Sequence, residues 1–274
     1  MKAAVFDYVR AHDVSEALKA LASRPGEAKA IAGGQSLGPM LNLRLARPGL
    51  LVDIAKIASL REITDEGKAW RIGASVTHAQ LEDRPLAGCG PLAQVARGIA
   101  YRAVRNWGTI GGSLAHADPA ADWPLALAVL DAVVRVRGPK GSRDVKAEAF
   151  MRNAFTPALA DDEIVESVRV PKLAEGAAWG YYKFCRKTGE FPEAAAALLI
   201  DPERRLARLF VGALERPPQP LDGVARALAE GGARAAGGDL IDAALARAAP
   251  GLAPAARKLH ATAVRRAIAQ ALPA

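Results

Sequence analysis

Apolar and polar positions change their period several times along this chain. Near the start, Val14, Leu18 and Leu21 recur at helical spacing behind Asp13 and Glu16, a separation that suits a capping box. Arg24–Pro25–Gly26 ends that helix. Residues 28–32 lead into Gly33–Gly34 and read as a short buried strand. A second helical stretch follows Pro39 with Leu41 and Leu45, and residues 50–54 predict another strand. Strand and helix alternate through this first part, as in a small α/β unit.

Further on, residues 70–74 predict a strand, and Thr77 with Gln80 can cap a helix. Residues 91–104 predict one amphipathic helix opening on proline, a favoured first-turn residue. A glycine-rich loop is expected over 108–113, then a strongly apolar helix over 119–130. Residues 133–137 and 143–145 pair as a hairpin around Pro139–Lys140–Gly141, and 164–170 alternates up to Pro171. Residues 172–177 read as a linker. Three strands then follow, at 179–184, 194–200 and 206–214, suggesting an antiparallel meander. From Leu221 the chain is Ala/Arg-rich and helical, with breaks at Gly231–Gly232 and Gly237–Gly238. The expected class is α+β, with one domain over 1–176 (subdomains near 1–56 and 57–176) and a second over 177–274.

Composition narrows the options. Of 274 residues, 51% are hydrophobic and 24% charged, enough apolar content for a packed core. No run approaches the roughly 18 apolar residues of a membrane span, and the start lacks a secretion-signal core, so a cytoplasmic protein is expected. The net charge of +8 is spread along the chain, not gathered in a basic–aromatic stripe, which argues against nucleic acid. The two cysteines, Cys89 and Cys185, are too few for an iron–sulfur cluster, which takes about four. His12, His78, His116 and His260 have no metal-type spacing.

Two glycine-bearing segments carry candidate chemistry. In Ala32–Gly33–Gly34–Gln35–Ser36–Leu37, glycines let backbone approach a ligand, and successive exposed amides suit a pyrophosphate. The pattern is not the G-x-G-x-x-G of nicotinamide folds. A plain tight turn would use the same residues. In Thr109–Ile110–Gly111–Gly112–Ser113 glycines again sit beside hydroxyls, and the segment runs on to Asp118 and Asp122. Asp118 is placed to cap a helix starting at Pro119, and Asp122 to accept from ligand hydroxyls. His116 is placed to contact phosphate or to sit at the surface.

Together these segments resemble the paired FAD motifs of the medium subunit of carbon monoxide dehydrogenase and of xanthine dehydrogenase-type molybdenum hydroxylases. The likeness extends in order over about residues 1–215. It takes in Phe6 and Tyr8, residues 42–48, Val104–Arg105–Asn106, residues 163–171 and residues 183–191.

The resemblance implies a two-subdomain flavin-binding fold of the vanillyl-alcohol-oxidase type, followed by a small antiparallel sheet with helices. It implies FAD lying extended, with Ile31, Ala32, Gly33, Gly34, Gln35, Ser36 and Leu37 on the pyrophosphate. Thr109, Gly111, Gly112, Ser113, Asp118 and Asp122 would form the second wall. Ile99 and Ala100 would line the adenine side, Val165 would touch the flavin ring through its backbone, and Lys183 would reach the flavin edge. The run Gly189–Glu190–Phe191–Pro192 departs from the family pattern, and Phe191 is the candidate shield of the ring. Cys185 reads as a strand residue, not a redox thiol. The implied partners are a large molybdopterin-binding subunit and a small subunit with two [2Fe–2S] clusters, in a dimer of heterotrimers. The alternatives are a self-sufficient flavin oxidase or reductase of the same fold, and a non-enzymatic binding module.

Overall fold

The computed structural model describes residues 2–273. The first unit runs β1 (Asp7–Arg10), α1 (Val14–Ala22), β2 (Ala28–Ile31), α2 (Leu37–Asn42) and β3 (Leu50–Asp53). Its three strands are parallel in the order β1-β3-β2, as strand–helix alternation requires. Asp13 caps α1 by accepting the Glu16 N–H at 2.8 Å, and Leu18 and Leu21 pack on Val52 and Ile54. The second helix starts at Leu37, two residues before Pro39, and Leu45 lies exposed beyond its end. Proline is tolerated there because N–H groups of a first turn have no partner within the helix.

The second unit opens with β4 (Ile63–Asp65), β5 (Ala69–Gly73), α3 (His78–Asp83), α4 (Gly90–Gly98), α5 (Arg102–Arg105), α6 (Ile110–His116) and α7 (Asp122–Val129). It continues with β6 (Val133–Gly138), β7 (Gly141–Lys146), α8 (Ala147–Phe150), β8 (Met151–Asn153), β9 (Thr156–Pro157) and β10 (Ile164–Pro171). Strands β4-β5-β10-β6-β7 form an antiparallel sheet. Thr77 and Gln80 make the expected capping box on α3.

Three expectations fail in this unit. The helix expected over 91–104 is broken into α4 and α5 by Ala100, whose φ is +42°. The helix expected from Pro119 starts at Asp122, because Asp118 closes a turn through the Ala120 N–H at 2.9 Å and so does not cap α7. The glycine loop expected over 108–113 is helical from Ile110, with Thr109 as its cap.

The last unit is β11 (Ala178–Phe184), β12 (Ala194–Asp201), β13 (Leu206–Gly212) and β14 (Gln219–Pro220), then α9 (Asp222–Gly231), α10 (Gly238–Ala248) and α11 (Pro254–Ala271). The strands form an antiparallel sheet in sequence order. Every residue of β12 is buried, since α11 covers one face and α7 packs from the other. At Gly180 a Cβ would fall 1.9 Å from the Ala267 carbonyl oxygen, so glycine sets how closely α11 approaches. All eight residues of α7 are buried. One core runs from Ile72 and Val136 through Trp123 and Leu127 to Leu199 and Phe210, joining the second and third units. Among the described residues no helix is long and apolar enough to cross a membrane.

Candidate cofactor site

The first glycine segment bridges β2 and α2. Gly34 has φ +68°, a left-handed conformation that favours glycine. Gln35 folds back and donates Nε2–H to the Gly33 carbonyl at 3.0 Å. The backbone amides of Gly33, Gly34, Gln35 and Ser36 donate to no acceptor among the described residues. Four consecutive free amides beside half-buried Ile31, Ala32 and Leu37 make an anion cradle.

This cradle faces the second unit at close range. A Cβ on Gly33 would fall 1.9 Å from the Trp107 carbonyl oxygen, so Trp107–Gly108 abuts the loop. Segment 74–78 lies along 108–111: His78 N–H donates to Gly108 O, Ile110 N–H to Val76 O and Gly111 N–H to Ala74 O, at 2.9, 3.1 and 2.9 Å. Gly112 N–H donates to Thr109 Oγ1 at 3.1 Å, and Ser113 N–H to Thr109 O. The amides from Ile110 to Ser113 are therefore engaged inside the protein, unlike those of the first loop. It offers a ligand the Thr109 hydroxyl proton, the half-buried Ser113 side chain and the glycine surface. Gly111 is required by packing, since its Cβ would meet that of Ala74 at 2.4 Å.

Behind the motif, His78 is buried and accepts the Trp123 indole N–H on Nδ1 at 3.1 Å. Burial, with the Arg105 charge second, pushes its imidazole down to about 4. It is neutral, with its proton on Nε2.

Ile99 and Ala100 are held by Arg105. Its Nη1 donates to both carbonyls, at 2.9 and 3.0 Å, while Nε and Nη2 bind Glu82. Both side chains of this ion pair are nearly buried, and the Arg105 hydrogen bond holds the Glu82 carboxyl below its usual range. The grip stabilises the left-handed Ala100.

Asp122, at the start of α7, is only 6% exposed. Its Oδ1 accepts from Tyr181 Oη at 2.6 Å and from Lys183 Nζ at 2.7 Å. The expected role as acceptor for ligand hydroxyls is thus shared with a bond between two units. The Lys183 side chain is 14% exposed and passes Gly98, whose Cβ would lie 3.8 Å from Nζ. Lys183 therefore stands at the same place as Ile99–Ala100.

Val165 lies in β10 at a bulge, its side chain in the shared core. The carbonyl of its neighbour Glu166 accepts the Ala74 N–H. Asp118 sits in the half-buried turn between α6 and α7, and His116 rests edgewise on Phe155 at 5.3 Å. Phe191 is 63% exposed, and its neighbour Gly189 packs on Tyr101 and Ala100. Cys185 is half-buried just past β11.

Sequence reasoning passed over His78, Trp107, Gly98 and Tyr181. For Tyr181 a signal existed: residues two apart on a strand share a face, so an inward Lys183 brings Tyr181 with it. Trp107 and His78 carried none, since their role arises from chain segments that meet only in three dimensions.

A cradle of free amides between two α/β units, with a lysine from a third sheet, is the arrangement an extended dinucleotide requires. The family described as FAD binding domain in molybdopterin dehydrogenase matches residues 4–173. The chain belongs to this family, the FAD-binding medium subunits of molybdenum hydroxylases. It is 39% identical over 197 residues to the carbon monoxide dehydrogenase medium chain of Hydrogenophaga pseudoflava, covering 71% of this chain and 69% of that one. It is 40% identical to the 6-hydroxypseudooxynicotine dehydrogenase complex subunit alpha of Paenarthrobacter nicotinovorans, over 73% of this chain and 68% of the relative. The solved carbon monoxide dehydrogenase from Hydrogenophaga pseudoflava superposes with a TM-score of 0.90 at 31% identity, covering 99% of this chain and 98% of that one. Quinoline 2-oxidoreductase from Pseudomonas putida 86 superposes with a TM-score of 0.88, also at 31% identity, over 99% and 98%.

Proposed function

We propose that this chain is the electron-transfer subunit of a molybdenum hydroxylase complex. It takes electrons from the [2Fe–2S] clusters of a small subunit and passes them to an external acceptor. Substrate is oxidised in a large molybdopterin-binding subunit, and the assembly is a cytoplasmic dimer of heterotrimers. FAD, when bound, supplies the exchange between one-electron and two-electron steps.

The observation that carries this reading is the run of four free amides at Gly33–Ser36 set against Trp107–Gly108. These amides bind and neutralise a pyrophosphate. Thr109 and Ser113 extend that wall towards Asp122. Lys183, with Ile99 and Ala100, forms the end that takes the flavin ring, which leaves the adenine to the opposite end of the cleft. The ammonium of Lys183 favours negative charge on that ring. We divide the chain near residue 176, where the second sheet ends and the third begins after a short connection. The relatives are named for different substrates, so the substrate would be chosen by a partner and not by this cleft.

The test is purification of the native protein by a C-terminal tag, with an absorbance spectrum and a gel of co-purifying chains. Flavin bands with one large and one small partner support the proposal. Flavin on a lone chain that turns over a substrate by itself would replace it with a self-sufficient oxidase, and a colourless protein would sink both.

A further inference from the structure

The Asp122 carboxylate carries more than the proposed function uses. One of its oxygens takes two donors, Tyr181 and Lys183, from alternate positions on β11. All three side chains are buried or nearly so. A lysine reaching this carboxylate alone would satisfy the charge, so the second donor requires a reason.

We propose that Tyr181 is a positioning residue for Lys183, setting how far the ammonium is neutralised by Asp122 and so how strongly it acts on the flavin. This rests on the reading of Lys183 as the flavin-edge lysine. Three observations support it. Tyr181 is itself fixed: its backbone N–H donates to Gln270 Oε1 at 2.9 Å, and its ring stacks on Trp179 at 6.3 Å with 4° between planes. Its phenol remains a donor at any working pH, because burial and then the Asp122 charge raise it well above its ordinary value. The Lys183 ammonium lies beside Gly98, the last residue of α4, and so at the cleft wall formed with Ile99 and Ala100.

A phenol hydrogen bond draws charge density onto itself from the shared oxygen. Removing it leaves that oxygen with Lys183 as its sole donor, tightening the ion pair and reducing the positive field in the cleft. Two-electron reduction adds negative charge at the ring, so the flavin becomes harder to reduce.

The experiment is a spectroelectrochemical titration of the purified holo-complex, followed at the flavin absorbance, for wild type, Tyr181→Phe, Lys183→Met, the double variant and Asp122→Asn. Tyr181→Phe is expected to keep its FAD and shift the flavin potential downwards, by up to tenfold in the reduction equilibrium, or about 30 mV for a two-electron couple. Lys183→Met shifts it further down, the double variant matches Lys183→Met alone, and Asp122→Asn shifts it up by freeing the lysine charge. An unchanged potential in Tyr181→Phe overturns the proposal, as do additive shifts in the double variant. Loss of FAD or failure to fold in Tyr181→Phe overturns it too, since the residue would then be structural. Each of these leaves the proposed function intact, whereas a flavin-free wild-type complex would remove the function itself.

Discussion

The carbonyl oxygen of Trp107 occupies the place where a side chain on Gly33 would have to be, 1.9 Å from an ideal Cβ. The two residues belong to different α/β units, and their contact brings the amide cradle against the wall that ends at Ser113. Backbone against backbone cannot give way as a flexible side chain would.

Gly33→Ala is therefore expected to part the two units, destabilising the protein by about 1–3 kcal/mol as overpacking does, and to strip FAD. Gly34→Ala meets only Ile31 at 3.5 Å and carries mainly the left-handed backbone strain, about 1–2 kcal/mol. Flavin content per chain and thermal unfolding compare the two. Full FAD retention in Gly33→Ala would remove this contact from the site.

The neutral, buried His78 makes stability depend on pH. Its imidazole is near 6.5 when unfolded and about 4 when folded, so the unfolded chain binds the extra proton first. Its contribution is fully present above pH 6.5 and is lost as pH falls towards 4, about 3 kcal/mol in all. His78→Gln is expected to flatten urea-unfolding stability across that window. An unaltered slope would show that other groups set it.

Arg105→Met removes the two hydrogen bonds to the Ile99 and Ala100 carbonyls and leaves Glu82 with exposed Arg102 as its remaining ion-pair partner. A loss of about 2–4 kcal/mol is expected from breaking a largely buried pair. Arg105→Lys restores little, because one ammonium cannot replace the guanidinium fork. Chemical unfolding of the three forms measures this, and full recovery in the lysine variant would contradict it.

Asp118→Ala and Asp122→Ala separate a turn residue from a clamp. The first loses one turn hydrogen bond, about 1 kcal/mol, with FAD affinity unchanged. The second strands the Tyr181 hydroxyl and the Lys183 ammonium in a buried place, about 3–5 kcal/mol, and weakens FAD retention. Flavin dissociation constants of the two variants are the measure, and equal values would refute the distinction.

The elements legible in the sequence are those whose period is their own. The hairpin over Pro139–Lys140 follows from alternation and turn residues, and β12 from a short continuous apolar run. The first glycine segment was legible as a loop between a strand and a helix, but that its amides are free is seen only in the structure. Ala100 was not: alanine is a favoured helix former, and only Arg105, arriving from the next turn, draws the carbonyls out of helical register. The second glycine segment resembles the first in residues and differs in use, because Ala74 and Val76 take its amides from thirty-odd residues upstream. No local pattern distinguishes an engaged glycine amide from a free one.

The helix from Asp122 to Val129 is buried on all sides, and its residues belong to the same core as both neighbouring sheets. Two walls of the cleft thus lack the thinly packed linker about which domains swing. In the proposed role, Lys183 on one sheet and Gly98 on the other unit would keep their spacing through each redox cycle, as parts of a stiff frame in which little has to rearrange when charge arrives. The same stiffness makes late insertion of a long dinucleotide difficult. On the proposed function, loading would then belong to the time of folding, and release of the cofactor would be as slow as the opening of that frame.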